Sequence, residues 1–233
     1  MRTIFFLIFS LTSSITASDL VHEDFSGPAL PKSWTPGGRP GSWSVVDGAL
    51  QGDCNPTDDH GPSISTPLPA TNVSVSFKLR REPGSYALML IDGDSAFGGQ
   101  AHLLRVAVSG DRLTIAQDRG SLASKMEQAK AKASAKKTGQ PMPKPTPEQL
   151  ADPAFYRTES LAIAKLTTPP QEWLALKVIA HGNDVTVTIN DGQVIKAKAT
   201  VLDVSKSKLV FLAGAGKKLW IDDVQARDRK PVE

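Results

Sequence analysis

The sequence predicts an all-β fold, a two-sheet antiparallel sandwich carrying one helical insertion. Short apolar-rich runs alternate with Gly, Pro, Asn and Asp along most of the 233 residues, which is typical of sandwiches and barrels. Residues 72–80 and 185–189 alternate apolar and polar side chains with a period of two. Only residues 121–137 have a strongly helical composition. We therefore expect strands throughout, with one face of each strand buried.

Eleven segments are predicted as strands. Gly-Asp at 110–111, Gly-Asn at 182–183 and Asp-Gly at 191–192 suit the tight turns of hairpins, so strands 172–180, 185–189 and 193–199 should form a meander. We also expect the beginning of the domain to pair with its end. The predicted strands are residues 43–46, 72–80, 85–91, 102–108, 112–117, 160–166, 172–180, 185–189, 193–199, 208–213 and 219–226.

The first 18 residues are typical of a secretory signal peptide. Arg2 precedes a short apolar run at 3–11, and small residues follow at 13–18. The run is too short for a membrane-spanning helix of about 20 residues, although an uncleaved N-terminal anchor is the alternative. We expect residues 19–233 to form a single domain that is secreted, periplasmic or held in the cell envelope. The one cysteine, Cys54, excludes an internal disulfide.

An insertion at about 120–158 separates two groups of strands. Its Ala- and Lys-rich helix at 121–137 is followed by a Pro-rich stretch at 139–147, where a second short helix begins. The insertion is either a lid or docking arm, or a solvated loop that the fold tolerates. Its six lysines account for the basic charge of the chain, and the rest of the mature chain is mildly acidic. We therefore expect no nucleic-acid partner, with binding of the lysine-rich stretch to anionic cell-surface polymers as the alternative use of its charge. We also expect no membrane partner after signal removal, and a monomer.

Few residues carry recognisable chemistry. The sequence has no Gly-x-Ser-x-Gly elbow, no phosphate-binding loop and no His pair at zinc spacing. No catalytic residue can be assigned and no cofactor is expected, except that a secreted sandwich can bind calcium through loop carboxylates. Asp92 and Asp94, at the end of a strand, are the possible calcium ligands or acid–base groups. Asp58 and His60 form a second polar group on a loop.

Three further candidates, Tyr86, His102 and Arg105, lie on predicted strands. Tyr86 and the loop residue Phe97 flank the Asp92–Asp94 pair and are the aromatic residues best placed for exposure. Trp173, by contrast, is expected in the core. His102 and Arg105 share one strand, and their spacing of three puts them on opposite faces if the strand is regular.

Several strand and turn phrases together resemble a known superfamily. The chain is similar to bacterial concanavalin A-like lectin/glucanase domains and to the related 3-keto-disaccharide hydrolase-like (LamG-like) family, over roughly 22–118 and 160–228. The phrases are HEDFSG (22–27), Trp34, GSWSVVDGALQG (41–52), NVSVSFKL (72–79), EWLALKVIAHGNDVTVTI (172–189), NDGQVI (190–195) and LWIDDV (219–224).

This resemblance implies a jelly-roll sandwich with carbohydrate bound on a concave sheet or its edge loops. The Glu-x-Asp-x-x-Glu motif of laminarinase-like hydrolases is absent, so no catalytic residue is carried over. The hypothesis we favour slightly is that the protein binds carbohydrate. The second hypothesis is glycoside hydrolysis by acid–base chemistry of Asp or His. The third is a structural module of the cell envelope that has no small ligand. The candidate ligand-binding residues are Asp58, His60, Tyr86, Asp92, Asp94, His102 and Arg105.

Overall fold

The computed structural model describes residues 18–38, 41–54, 61–141, 144–214 and 216–229, and these form two antiparallel sheets packed face to face. The first sheet contains β1 (Asp19–Glu23), β3 (Ser42–Val46), β4 (Ala49–Asp53), β6 (Val73–Arg81), β11 (Leu174–His181), β12 (Asp184–Ile189), β13 (Gln193–Lys198) and β15 (Lys218–Asp228). The second contains β2 (Thr35–Pro36), β5 (Ser63–Ala70), β7 (Tyr86–Asp94), β8 (Gln100–Ser109), β9 (Arg112–Arg119), β10 (Arg157–Lys165) and β14 (Lys206–Gly214).

The strand order is that of a jelly-roll sandwich, as predicted. The first sheet runs β13-β12-β11-β6-β15-β4-β3, with β1 beside β15, and the second runs β10-β9-β8-β7-β14-β5-β2. The pairing of β1 with β15 confirms that the start of the domain closes against its end. The meander β11-β12-β13 is also confirmed, and its turns use the left-handed conformation at Gly182 and Asp191.

Four strands were not predicted from the sequence: β1, β2, β4 and β5. Strand β5 contains Pro67 and Pro69, which argue against a central strand because proline has no N–H to donate. The strand tolerates them because its neighbour β2 pairs with it only at Ile64 and Ser65, so this end of β5 is effectively an edge.

The core lies between the sheets and is supplied by alternate residues of each strand. Phe77 from β6 packs edge-on against Phe211 from β14 with ring centres 5.1 Å apart, and Trp34 stacks on Phe211 with ring centres 5.9 Å apart. The expectation that Trp173 is in the core was wrong. Trp173 precedes β11 and is 37% exposed, with the Arg80 guanidinium 4.9 Å from its ring.

The insertion folds as predicted into helix α1 (Leu122–Thr138) and the short α2 (Pro147–Ala151). Ser121 caps α1 by accepting a hydrogen bond from Ser124 N, and Gly139 ends the helix in the left-handed conformation. Within the described residues, neither helix has the length and apolar character needed to cross a membrane. Residues 1–17 of the predicted signal peptide lie outside the described residues.

Candidate functional site

A β-bulge in β8 places His102 and Arg105 on the same face of the second sheet, contrary to the prediction for a regular strand. The pairing with β7 runs from Ile91↔Leu104 to Asp92↔His102, so Leu103 is an extra residue. Leu103 and Leu104 both turn into the core, where they are buried. His102 and Arg105 therefore both point away from the core, onto what we call the outer face.

Gly93 makes the bulge possible. A Cβ atom at this position would lie 2.4 Å from the Ser205 carbonyl oxygen and 2.6 Å from Leu103 Cδ1. The absence of a side chain therefore leaves room for Leu103 to tuck inward. Close packing against the bulge therefore explains why a glycine lies between Asp92 and Asp94.

Arg105 and Asp118 form a buried ion pair on the outer face. Arg105 Nε and Nη2 each donate to one Asp118 carboxylate oxygen at 2.6 Å, and Asp118 is only 4% exposed. The Tyr156 hydroxyl donates to Asp118 Oδ2 at 2.6 Å and the Thr158 hydroxyl to Oδ1 at 2.8 Å. Burial opposes the ionisation of Asp118, but these donors outweigh it and lower the pKa of its carboxyl. Asp118 is therefore ionised and accepts four hydrogen bonds, which hold Arg105, Tyr156 and Thr158 around it.

The insertion holds Tyr156 in this network. Ser121 N donates to the Ala154 carbonyl at 2.8 Å, Tyr156 N donates to Ser124 Oγ at 3.0 Å, and Gln128 Nε2 donates to the Tyr156 carbonyl at 2.7 Å. The first two turns of α1 therefore fix the backbone of Tyr156. Burial, followed by the neighbouring Asp118 carboxylate, raises the pKa of the Tyr156 phenol, so it stays protonated near neutral pH.

Gly120 lets the same segments approach closely. Its φ is +93°, and a Cβ atom there would lie 2.4 Å from the Phe155 carbonyl oxygen. Lys125, on the first turns of α1, sets its ammonium 4.9 Å from the centre of the Tyr156 ring and 3.9 Å from Asp118 Oδ2. The insertion thus adds a positive charge to the buried network.

His102 and Asp92 form a second polar pair on the outer face. His102 Nδ1 lies 2.6 Å from Asp92 Oδ1, and both side chains remain partly accessible. In the tautomer in which Nδ1 donates its proton to this carboxylate, the lone pair of His102 is on Nε2. Asp94, at the end of β7, accepts instead from Gln100 Nε2 at 2.7 Å.

A cleft of about 500 Å³, including space open to solvent, lies beside these residues. His102, Asp118 and Tyr156 contribute its polar floor, and an apolar cluster of Leu88 and Leu90 is buried on the same outer face. The cleft is lined by Ser95, Ala96, Phe97, Gln100, Ala101, His102, Leu103, Asp118, Arg119, Gly120, Leu122, Lys125, Tyr156 and Val201.

The predicted site residues meet only in part. His102 lines the cleft, and Arg105 reaches it through Asp118. Tyr86 lies on the outer face next to Leu88 and Leu90, half-buried and outside the cleft lining, and burial raises the pKa of its phenol. Asp58 and His60 lie outside the described residues.

Calcium binding by Asp92 and Asp94 stays a prediction. In the described ranges, no group of three or more His, Cys, Asp or Glu side chains is close enough to hold a metal ion. Asp92 and Asp94 instead bond to His102 and Gln100 respectively.

Sequence reasoning missed Asp118, Tyr156 and Lys125 as site residues. The signal for Asp118 was available: the turn at 110–111 sets Arg105 opposite Ala116, and Asp118 follows two positions later on the same face. No comparable signal exists for Tyr156 and Lys125, whose positions depend on how the insertion folds back.

A family model described as a 3-keto-alpha-glucoside-1,2-lyase-like domain matches residues 22–227. The chain belongs to this family. The match spans nearly all of the sandwich, including the insertion, and it confirms the resemblance stated from the sequence. A search of curated protein sequences finds no match to the chain.

Solved structures share the fold at low identity. The laminarinase from Rhodothermus marinus has a TM-score of 0.60 at 11% identity, covering 93% of this chain and 99% of its own. The carbohydrate-binding module CBM66 from Bacillus subtilis has a TM-score of 0.51 at 14% identity, with 84% and 96% covered. A sialidase matches at 0.59 and 10% identity over 92% of this chain, which spans 18% of that protein. These neighbours confirm the concanavalin A-like jelly roll.

Proposed function

We propose that this protein is an enzyme that cleaves glucosides bearing a keto group at C3, by elimination across C1 and C2, in the cleft beside His102. The observation that carries the proposal is the His102–Asp92 pair, with 2.6 Å between Nδ1 and Oδ1, because His102 lines a partly enclosed cleft and Asp92 orients it from behind. The description of the family as 3-keto-alpha-glucoside-1,2-lyase-like supports the choice of substrate and bond.

The chemistry sets clear requirements for the site. A ketone at C3 makes the hydrogen on C2 acidic, so a base can remove that proton. The electron pair left on C2 forms the C1–C2 double bond as the C1–oxygen bond breaks, and the aglycone leaves as an alcohol after taking up a proton. The site therefore needs a base near C2 and positive charge or hydrogen-bond donors near the C3 oxygen, where negative charge develops.

His102 meets the first requirement. Asp92 orients the imidazole through Nδ1, and in the tautomer in which Nδ1 donates to it the Nε2 lone pair is the base. In other enzymes that transfer protons, a carboxylate likewise orients the histidine and the histidine takes up the proton.

The buried network supplies the second requirement. Lys125 lines the cleft and brings a positive charge to a carbonyl oxygen bound there. Tyr156 lines it too, but its one O–H proton is donated to Asp118, so its part is to hold the network in place. Asp118 accepts from four donors and is therefore a positioning group rather than a base. Its role is to fix Arg105 and Tyr156 in place.

Carbohydrate binding without cleavage is the second candidate function. It is favoured by the state of Asp118, the one carboxylate among the described residues that line the cleft. Four donors engage Asp118, so no carboxylate of the lining is ready to act as an acid or base. The likeness of the fold to a carbohydrate-binding module is compatible with it.

A substrate pair tests the proposal. The purified protein is given p-nitrophenyl α-glucoside and its 3-keto derivative, and release of nitrophenol is followed against a blank without protein. We expect turnover of the 3-keto compound only. His102→Gln should lower kcat at least about 100-fold, whereas the exposed His181→Gln control should match the wild type.

Two outcomes oppose the proposal. Equal cleavage of the parent glucoside would show that the keto group is not needed, and full activity of His102→Gln would remove the base. Binding of the 3-keto compound without turnover would favour the second candidate function.

The proposal includes the cellular location in which the enzyme acts. The N-terminal pattern at residues 1–18 supports export, so the enzyme acts outside the cytoplasm. N-terminal sequencing of the protein recovered from the medium or envelope should begin near residue 19. Recovery of the intact N-terminus from the cytoplasm alone would oppose export.

A further inference from the structure

The mouth of the cleft differs in chemistry from its floor, and we infer that it accepts an apolar aglycone, aryl or alkyl, rather than a second sugar. This inference rests on the proposed function and names its substrate class. It depends on Phe97 and Leu122, two half-exposed hydrophobic side chains that line the cleft. Phe97 comes from the turn between β7 and β8, and Leu122 comes from the insertion.

Phe97 lies in a hydrogen-bonded turn at residues 95–99. Ser95 N donates to the Gly99 carbonyl at 2.8 Å, and Gly98 N donates to the Ser95 carbonyl at 2.9 Å. Phe97 N itself donates to Ser95 Oγ at 3.1 Å. Gly98 and Gly99 both have positive φ values, which let the chain reverse beneath the ring. The turn therefore holds Phe97 at the mouth with 47% of its surface exposed.

Leu122 reaches the mouth from the insertion. It is the first residue of α1, directly after the Ser121 cap, and is 48% exposed. A Cβ atom on Gly99 would lie 4.0 Å from Leu122 Cδ2, so this leucine rests on the same turn that carries Phe97. Met126, one helical turn later, is also exposed and extends the apolar stripe of α1.

The contrast with the floor indicates which part of a ligand binds where. His102 and Tyr156 offer hydrogen-bonding groups that suit a sugar ring. The side chains of Phe97 and Leu122 offer none, so hydroxyls of a second sugar placed between them would lose water without gaining partners. An aryl or alkyl group placed there would instead remove apolar surface of both residues from water.

The orientation that elimination requires agrees with this division. Elimination requires C2 to face His102, so C1 and the aglycone attached to it lie closer to this histidine than the far end of the sugar does. Phe97 and Leu122 line the same cleft as His102, and we therefore assign the aglycone to them.

Calorimetric titration tests the inference. His102→Gln protein, which should bind without turnover, is titrated with phenyl 3-keto-α-glucoside and with a disaccharide carrying the same 3-keto-α-glucosyl group on a second glucose. The phenyl compound should bind about tenfold more tightly, the advantage expected from burying one small apolar group.

Variants at the mouth should remove that preference. In the same background, Phe97→Ser and Leu122→Ser should each weaken phenyl-compound binding several-fold and disaccharide binding less than twofold. Leu150→Ser is the matched control, because Leu150 is equally exposed at 48% but lies on α2 outside the cleft lining. Equal effects on both ligands, or tighter binding of the disaccharide, would overturn the inference alone. Failure of both ligands to bind would overturn the proposed function with it.

Discussion

His102 and Arg105 lie on the same face of β8 although they are three positions apart, because Leu103 is an extra residue in the strand. Without this bulge, one of the two side chains would point into the core. The bulge thus brings the His102–Asp92 pair and the Arg105–Asp118 pair onto one surface. Bulges are common beside functional sites, where they redirect side chains.

Gly93→Ala should destabilise the protein and distort the site. The new methyl group would lie within 3 Å of the Ser205 carbonyl and the Leu103 side chain, so the bulge must shift. We expect a loss of about 1–3 kcal/mol in the free energy of unfolding, measured by urea denaturation. Gly27→Ala is the control, because nothing lies within 4 Å of its added Cβ. Equal stability of the two variants would contradict the packing role of Gly93.

Asp118→Asn should cost more stability than loss of a surface charge. The change leaves the Arg105 guanidinium without its counter-ion in a buried position, at a cost of about 3 kcal/mol. Asp223→Asn, which breaks the exposed pair with Lys78, should cost less than about 1 kcal/mol. Chemical denaturation at pH 7 compares the two. A similar small loss for both would show that the buried pair is not a structural anchor.

The same aspartate should contribute to acid sensitivity. Its pKa is lower in the folded protein than in the unfolded chain, so its stabilising effect is complete above the unfolded value of about 3.9 and is lost as pH falls through the folded value. The stability difference between wild type and Asp118→Asn should therefore shrink between pH 5 and pH 2. A difference that stays constant over that range would contradict the lowered pKa.

Because of Lys206, the free energy of unfolding should rise as the pH increases above about 8. Its ammonium is buried among the carbonyl oxygens of Thr71, Leu202 and Val204. Burial lowers its pKa from 10.5 to about 8, although Asp203 partly opposes the shift. The unfolded chain then binds more protons between pH 8 and 10.5, so the stability rises with pH in that window, by at most about 3 kcal/mol.

A variant isolates the contribution of this lysine. The free energy of unfolding is measured at pH 7.5 and 9.5 for wild type and Lys206→Met, and the two pH dependences are subtracted. Wild type should gain stability relative to the variant as pH rises. A gain of the same size in both proteins would assign it to other groups.

Gln128→Ala should impair turnover more than stability. Gln128 donates to the Tyr156 carbonyl and so fixes this residue in the cleft from a mostly exposed helix. We expect kcat/KM for the 3-keto substrate to fall about tenfold, in line with the cost of small displacements at a site. The melting temperature should change by no more than about 2 °C. Lys132→Ala, an exposed change on the same helix, should leave both unchanged.

An equal loss of activity for Lys132→Ala would show that α1 acts through its general stability. Wild-type activity of Gln128→Ala would show that the insertion does not position Tyr156.

Much of the fold follows from local signals in the sequence. The meander β11-β12-β13 is encoded by period-two strands and Gly, Asn and Asp turns, and α1 by its Ala and Lys content. Strand β5 was missed because its prolines argue against a strand, and only the short pairing with β2 makes them tolerable.

The site was less predictable because it depends on one irregularity and one long-range contact. The bulge at Leu103 inverts the alternation that sequence reasoning assumes. Tyr156 reaches Asp118 across 38 residues of sequence, through a helix whose direction no local pattern specifies. Arg105 and Asp118 were the exception, since the register of one hairpin relates them.

The fate of the C2 hydrogen tests the central claim most directly. A 3-keto-α-glucoside deuterated at C2 is cleaved by the wild-type protein, and the sugar product is analysed by mass spectrometry against a blank without protein. Elimination with His102 as the base predicts a product that has lost the deuterium, formed only in the presence of active protein. A cleaved sugar that keeps its C2 deuterium would contradict the account, because the glycosidic bond would then have broken without proton removal from C2.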